Sequence, residues 1–249
     1  MKRYFQTEYK GQNQLYLAIA EKINEYYPIG INRDTPEYKE YPGIKKIMSV
    51  LEKNMTDYNN QNKPWKSFLK QLRKGSKKKI HDTTIPHELA FQAELILKKY
   101  QDESLIYIKK IVFTVSFIGP FFSVYGIDIT FIKENADGSG PLYDAVNVVT
   151  ESPYKEFESA FNYLKEEIAE QFGSYKFVPI RVGLYDVKGL QTPYSDRDEC
   201  TVYNALFDAA LDYQPFQFFR GEMYYGSEKN PNIKVVLGPP PPYNPPKIS

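Results

Sequence analysis

The sequence is poor in reactive side chains. In 249 residues there are one cysteine, two histidines and one tryptophan. A lone Cys200 cannot close an intrachain disulfide, which fits a reducing compartment. His81 and His87 stand further apart than the roughly three-to-five spacing of a helical zinc pair, Pro86 falls between them, and the cysteine lies far along the chain. The expectation is no metal centre, with His81 exposed and His87 in the first turn of a helix. There is no Gly-x-Ser-x-Gly elbow, no Walker loop and no dinucleotide fingerprint, and Gly138-Ser-Gly140 is a lone glycine loop. No cofactor and no catalytic residue is assigned.

Charge of one sign is also missing. Lysine plus arginine total 32 against 31 aspartate plus glutamate, a net of +1. A general nucleic-acid binder needs a sustained basic field, so nucleic acid is not the expected partner. Long apolar runs are absent as well. The greasiest stretch, Ile111 to Tyr125, is interrupted by Thr114, Ser116 and Gly119-Pro120 and is too short for a membrane helix. Met1 to Glu8 has no apolar signal core. These features predict a cytoplasmic protein with no membrane association. No internal repeat of solenoid length occurs.

Aromatic residues are the compositional excess, with 22 tyrosines and 16 phenylalanines. Tyrosine suits contact surfaces because it offers area and a hydroxyl at low rotamer cost, although an aromatic core accounts for the same count.

The clearest structural signal is a hairpin. In Leu105 to Ile118 the residues Ile111, Phe113, Val115 and Phe117 share one face, with Lys110, Val112, Thr114 and Ser116 on the other. After Gly119-Pro120, Tyr125, Ile127, Ile129 and Phe131 alternate with Gly126, Asp128 and Thr130. Leu142 to Val149 predicts a third strand, after the turn-rich loop 135–141, and Val178, Ile180, Val182 and Leu184 a fourth.

Before the hairpin, helical spacing predominates. Leu15, Ile19, Ile23 and Tyr26 form one stripe, ended by Pro28 to Gly30. Ile44, Ile47, Met48, Leu51, Met55 and Tyr58 form a second, after Pro42-Gly43. Pro64 opens a helix bearing Trp65, Phe68, Leu69 and Leu72. Thr83 to Pro86 predicts the start of another, carrying Leu89, Ala93, Ile96, Leu97 and Tyr100. After the hairpin, Ser152-Pro153 predicts a long helix bearing Phe157, Phe161, Leu164, Ile168 and Phe172, stopped by Gly173. Its Glu166, Glu167 and Glu170 read as a solvent face. A helix is expected over Thr201 to Leu211, and short strands over Phe216 to Tyr225 and Ile233 to Leu237.

The order predicts an α+β fold: a helical N-terminal part packed on a mainly antiparallel sheet with inserted helices. The divisions expected are a helical part over 1–103, sheet and helices over 104–238, and a proline-rich extended tail over 239–249, all within one compact unit.

Three groups are candidate sites. Tyr194, Asp196, Asp198, Glu199 and Tyr203 lie in or beside an acidic polar stretch suited to a basic partner, and the acids equally suit a helix N-terminus. Glu151, Glu156 and Glu158 could extend that acidic surface. If the central strands pair with their apolar faces aligned, Asp128, Thr130, Arg181 and Tyr185 fall with Thr114 and Ser116 on a polar sheet face, either a ligand site or a wetted surface. Arg73, Lys74, Lys77, Lys78 and Lys79 form a basic run, read as a solvated loop or as a patch for phosphate or an acidic protein.

The leading expectation is a non-enzymatic protein-binding protein, most concretely a bacterial immunity-type protein that neutralises a toxin by masking its surface. A carboxylate and arginine hydrolase or transferase using Asp128, Asp144 or Arg181 is the alternative. A nucleic-acid accessory protein using residues 73–79 is the third.

Overall fold

A computed structural model describes residues 3–57, 60, 62–133, 135, 142–150, 157–207 and 218–220, with the backbone alone for 142–148, 150 and 218–220. The elements in chain order are β1 (Tyr4–Phe5), α1 (Gln14–Tyr26), α2 (Pro36–Glu40), α3 (Pro42–Thr56), α4 (Lys63–Ser76), β2 (Lys79–Asp82), β3 (Ala90–Gln101), β4 (Leu105–Ser116), β5 (Phe121–Lys133), β6 (Leu142–Thr150), α5 (Glu158–Phe172), β7 (Lys176–Phe177), α6 (Ile180–Gly183), β8 (Asp186–Val187), α7 (Val202–Leu206) and β9 (Phe218–Arg220).

Strands β2 to β6 form a continuous antiparallel sheet. Short β9 joins the edge of β6 and β7 joins β5, both in parallel. The α+β expectation holds. Both faces of the sheet are buried at its centre, along β4 and β5. On one face Val112, Tyr125, Ile127 and Ile129 pack with Ile19, Ile23, Ile47 and Leu51 of α1 and α3 and with Val202 and Leu206 of α7. On the other, Ile111, Phe113, Val115, Phe122 and Val124 pack with Trp65, Phe68, Leu69 and Leu72 of α4 and Phe161, Leu164 and Ile168 of α5. Helices therefore cover the sheet from both sides. Burial on both faces is why β4 and β5 read as nearly continuous apolar runs.

Register settles the fate of the polar face. Val112 stands opposite Tyr125, Thr114 opposite Ser123, and Lys109 opposite Asp128. Thr114 and Ser116 therefore share a face with Tyr125 and Ile127, while Asp128 and Thr130 lie on the opposite face. Two serine hydroxyls on the first of these faces have structural tasks. Ser116 Oγ donates to the Leu206 carbonyl at 2.6 Å and Ser123 Oγ to the Val178 carbonyl at 2.9 Å. Each bond ties a covering segment to the sheet and satisfies buried polar atoms.

Two expected elements differ. The stretch 83–100 is not a helix: residues 90–101 are β3, paired with β4 along its length. Leu89, Ala93, Ile96 and Leu97 fit helical spacing, but Phe91, Ala93 and Leu95 also alternate. The ladder offered by β4 decides the conformation, a tertiary override of local pattern. Residues 102–104, at the division expected between helical part and sheet, are a hairpin turn inside the sheet, to which β2 and β3 before them already belong. The fourth strand is replaced by two-residue β7 and one-turn α6. Pro179 fixes the start of that turn, and Gly183 lets it sit against the Tyr203 ring, whose Cδ2 would lie 3.2 Å from an added Cβ.

Other helices follow their signals. Asn13 caps α1 by accepting from the Leu15 and Tyr16 amides. Gly173, at φ 55°, ends α5. Thr201 and Asn204 close a capping box on α7. Ser152-Pro153 and the acids Glu151 and Glu156 lie outside the described residues. So do 208–217, 221–249 and the tail, apart from the strand at 218–220. Among the described residues, no helix is long and apolar enough to cross a membrane.

Gly43 fixes the crossing of α1 and α3. A Cβ there would come within 2.4 Å of the Glu25 and Tyr26 carbonyl oxygens, which are backbone atoms and cannot swing aside. Gly43→Ala is therefore expected to cost about 1 to 3 kcal/mol by overpacking, read as a lower urea midpoint. A midpoint equal to the parent would contradict this close approach.

Candidate partner-binding surface

The segment 188–201 carries the acidic candidates, and it is held by a dense set of bonds. Gly189, at φ 75°, accepts the Gly30 amide at 2.8 Å. The Arg33 guanidinium donates to the carbonyls of Thr192 at 3.4 Å and Arg197 at 3.0 Å, while the Arg33 amide meets Gln191 Oε1 at 2.8 Å. Tyr38 donates to the Gln191 carbonyl at 2.8 Å, and burial pushes its phenol well above the usual range, so it stays protonated. Arg197 pairs with Asp186 at 2.8 Å and donates from Nε to the Glu199 carbonyl at 3.1 Å. These bonds tie the loop to α2, to the segment before it and to β8.

This clamp presents Tyr194. Its hydroxyl donates to Met48 Sδ of α3 at 3.7 Å, and its ring centroid lies 6.2 Å from the His87 ring. Partial burial and then the nearby Glu88 charge hold the Tyr194 phenol above its ordinary value. Tyr194 is 37% exposed and Met48 43%. Three separate segments thus converge on one exposed surface of aromatic, thioether and imidazole groups. Asp196 and Asp198 are exposed in the same loop. Glu199 is half-buried and accepts from the Tyr4 hydroxyl at 3.2 Å.

Several expectations need correction here. Tyr203 is 1% exposed, packed against Tyr125 and Phe207, and cannot touch a partner. The helix that follows the acids begins at Thr201, so Asp196 and Asp198 are loop residues, not its first turn. His87 lies in the loop before β3, because the expected helix is absent. His81 is exposed on β2, as expected. Met48 and Met55 fit the apolar stripe of α3 by spacing, yet they flank its buried part, with Met55 51% exposed. Their exposure beside buried Ile44, Ile47 and Leu51 leaves an adaptable thioether edge on α3.

The polar sheet group does not assemble. Asp128 pairs with Lys109 at 3.5 Å, both nearly buried, and the Lys109 ammonium sits 5.1 Å from the Phe157 ring centroid. Burial and then the Asp128 charge raise the neighbouring Tyr107 phenol. Thr130 is half-buried on that same face. Arg181 lies in α6 and Tyr185 just after it, in segments packed against the opposite face. Asp144 is described by its backbone alone, opposite Phe131.

An open hollow of about 810 Å3 lies beside the β3–β4 turn, lined by Gln101, Asp102, Glu103, Ser104 and Lys133. Its acid is already engaged. Amides of Leu105 and Ser104 and hydroxyls of Ser104 and Tyr100 donate to Asp102, holding its carboxyl down to about 2. That makes it a turn device. Among the described residues, no group of three or more metal-ligating side chains comes together.

The basic run is divided between elements. Arg73 and Lys74 end α4, Lys77 takes the left-handed conformation at its C-cap, and Lys79 opens β2. Arg73 Nε donates to the Ile80 carbonyl at 3.1 Å.

The chain matches no protein-family model, no curated protein and no solved structure.

Proposed function

We propose that this chain is a non-enzymatic protein-binding protein, most concretely a bacterial toxin-neutralising protein of the immunity type that acts by masking its partner's surface. The observation that carries the reading is the exposed cluster that Met48 and His87 form with Tyr194, which the clamped loop presents. Tyrosine anchors binding well because its large ring brings little rotamer entropy to lose. The bonds from Arg33, Tyr38 and Arg197 lower the ordering cost that binding would otherwise meet. Asp196 and Asp198 beside the cluster favour a partner with a basic face and speed its approach. The proposed setting is the cytoplasm, where the single buried Cys200 would stay reduced.

The carboxylate and arginine enzyme is the weaker reading, because Asp128 and Arg181 lie against opposite faces of the sheet. The test is capture from the native host, followed by reconstitution from purified components. A single partner should bind the parent chain, lose its own activity on binding, and bind a Met48→Ala/Tyr194→Ala variant about thirtyfold more weakly, equivalent to about 2 kcal/mol. A partner held equally by parent and variant would remove this surface from the account.

A further inference from the structure

Every charged residue from Lys63 to Lys79 is basic. The overall balance of 32 against 31 charges therefore does not hold locally. The inner face of α4 is taken by Trp65, Phe68, Leu69 and Leu72, so Lys63, Lys66, Lys70 and Lys74 follow one another along its outside at helical spacing, all exposed. Lys77 to Lys79 prolong the line, also exposed. The register that sets Lys79 opposite Ile96 brings exposed Lys98 and Lys99 to the same end of the sheet.

The placement of several of these charges does not help the helix. Lys63 and Lys66 stand in the first turn of α4, where the helix dipole disfavours cations and no acid offsets them. Lys63, Lys70 and Lys74 form no ion pair with a described residue, although Glu166, Glu167 and Glu170 lie on neighbouring α5. The line from Lys63 to Lys77 runs about 21 Å at 1.5 Å per residue. Its cations follow one another about every 4.5 to 6 Å, a straight array of positive charge that the polyanionic backbone of a duplex, winding past it, can neutralise at several points.

What the face lacks selects the partner. Its exposed residues include no aromatic and no large apolar side chain. It has nothing to stack on unpaired bases, nothing to insert into a bilayer and no apolar anchor for a protein hot spot. We infer that the outer face of α4, continued by Lys77 to Lys79, binds the phosphate backbone of duplex DNA without reading its sequence. This surface is distinct from the Met48 and Tyr194 cluster, so either can fail without the other.

The experiment is fluorescence anisotropy of the full chain with a labelled mixed-sequence DNA duplex of about 20 base pairs, at about 50 and about 200 mM salt. With about four phosphates neutralised, affinity should fall about a hundredfold across that range. Lys63→Gln/Lys70→Gln/Lys74→Gln should weaken binding by about tenfold or more at low salt and make the log–log salt slope shallower by about three, with an unchanged melting temperature. Lys39→Gln/Lys53→Gln/Lys188→Gln, which removes as much charge elsewhere, should change neither slope nor low-salt affinity by as much. The inference is overturned by no binding at low salt, by equal losses in the two triple variants, or by tighter binding to duplex RNA or polyglutamate than to DNA.

Discussion

Replacing Trp65 by alanine is expected to cost the fold about 3 to 5 kcal/mol. The side chain is fully buried where α4 meets the sheet. Its ring stacks on Phe91 of β3 at 5.1 Å and 7°, and it also touches Phe68 and Phe113. The indole Nε1 donates to Asp82 at 3.2 Å, and that carboxylate accepts the Thr84 amide at 3.1 Å, so one acid ties the end of β2 to the helix. Alanine removes the ring, leaves a cavity between helix and sheet, and deletes the hydrogen bond that links α4 to the end of β2. Trp65→Phe keeps most of the apolar area and should lose less than half as much. Urea denaturation followed by far-ultraviolet circular dichroism reads both variants. A loss below about 1 kcal/mol for the alanine variant would mean that α4 contributes little to the core.

The second large effect concerns Asp128 and Lys109. Both are 8% exposed, and their charged atoms lie 3.5 Å apart on the α4 and α5 face of the sheet. Removing one member of a buried pair leaves the other charge without compensation, which typically costs about 3 to 5 kcal/mol. Asp128→Ala should fall in that range, because the Lys109 ammonium would keep only the Phe157 ring and its remaining polar neighbours. The double variant Lys109→Met/Asp128→Leu should recover most of the loss, since apolar replacements of similar size remove the desolvation cost of both ions. Denaturant midpoints of the two singles and the double give the coupling energy directly. Additive losses would show that the two charges do not depend on each other.

Much of the fold was legible in the sequence. Apolar residues at helical spacing located α1, α3, α4 and α5, and alternation located the β4–β5 hairpin and β6. The failures have specific causes. Residues 89–100 satisfy both periods, and only the neighbouring β4 edge chooses between them. Pro179 and Gly183 turn a run of alternating apolar residues into a single helical turn whose Ile180 and Val182 are still buried. The polar sheet face depended on register, and pairing Val112 with Tyr125 instead of Gly126 moved Asp128 to the other face from Thr114. At the partner surface, the loop acids and Tyr194 were visible, because charge and tyrosine in a polar stretch are local signals. Met48 and His87 were not, because nothing in the sequence brings positions 48, 87 and 194 together. That juxtaposition is produced by the long-range bonds from Arg33 and Tyr38 that set the loop. The basic run appeared shorter than it is, since Lys63, Lys66 and Lys70 join Lys74 only once α4 is wound.

A protein partner seated on the Met48, His87 and Tyr194 surface would shield the backbone amides beneath it. Amide hydrogen exchange of the full chain, with and without the purified partner, tests it at the level of the backbone. The account predicts slowed exchange in residues 44–51, 85–89 and 191–199 upon binding, with α5 unchanged. Protection confined to other segments, with these three exchanging as in the free chain, would contradict it.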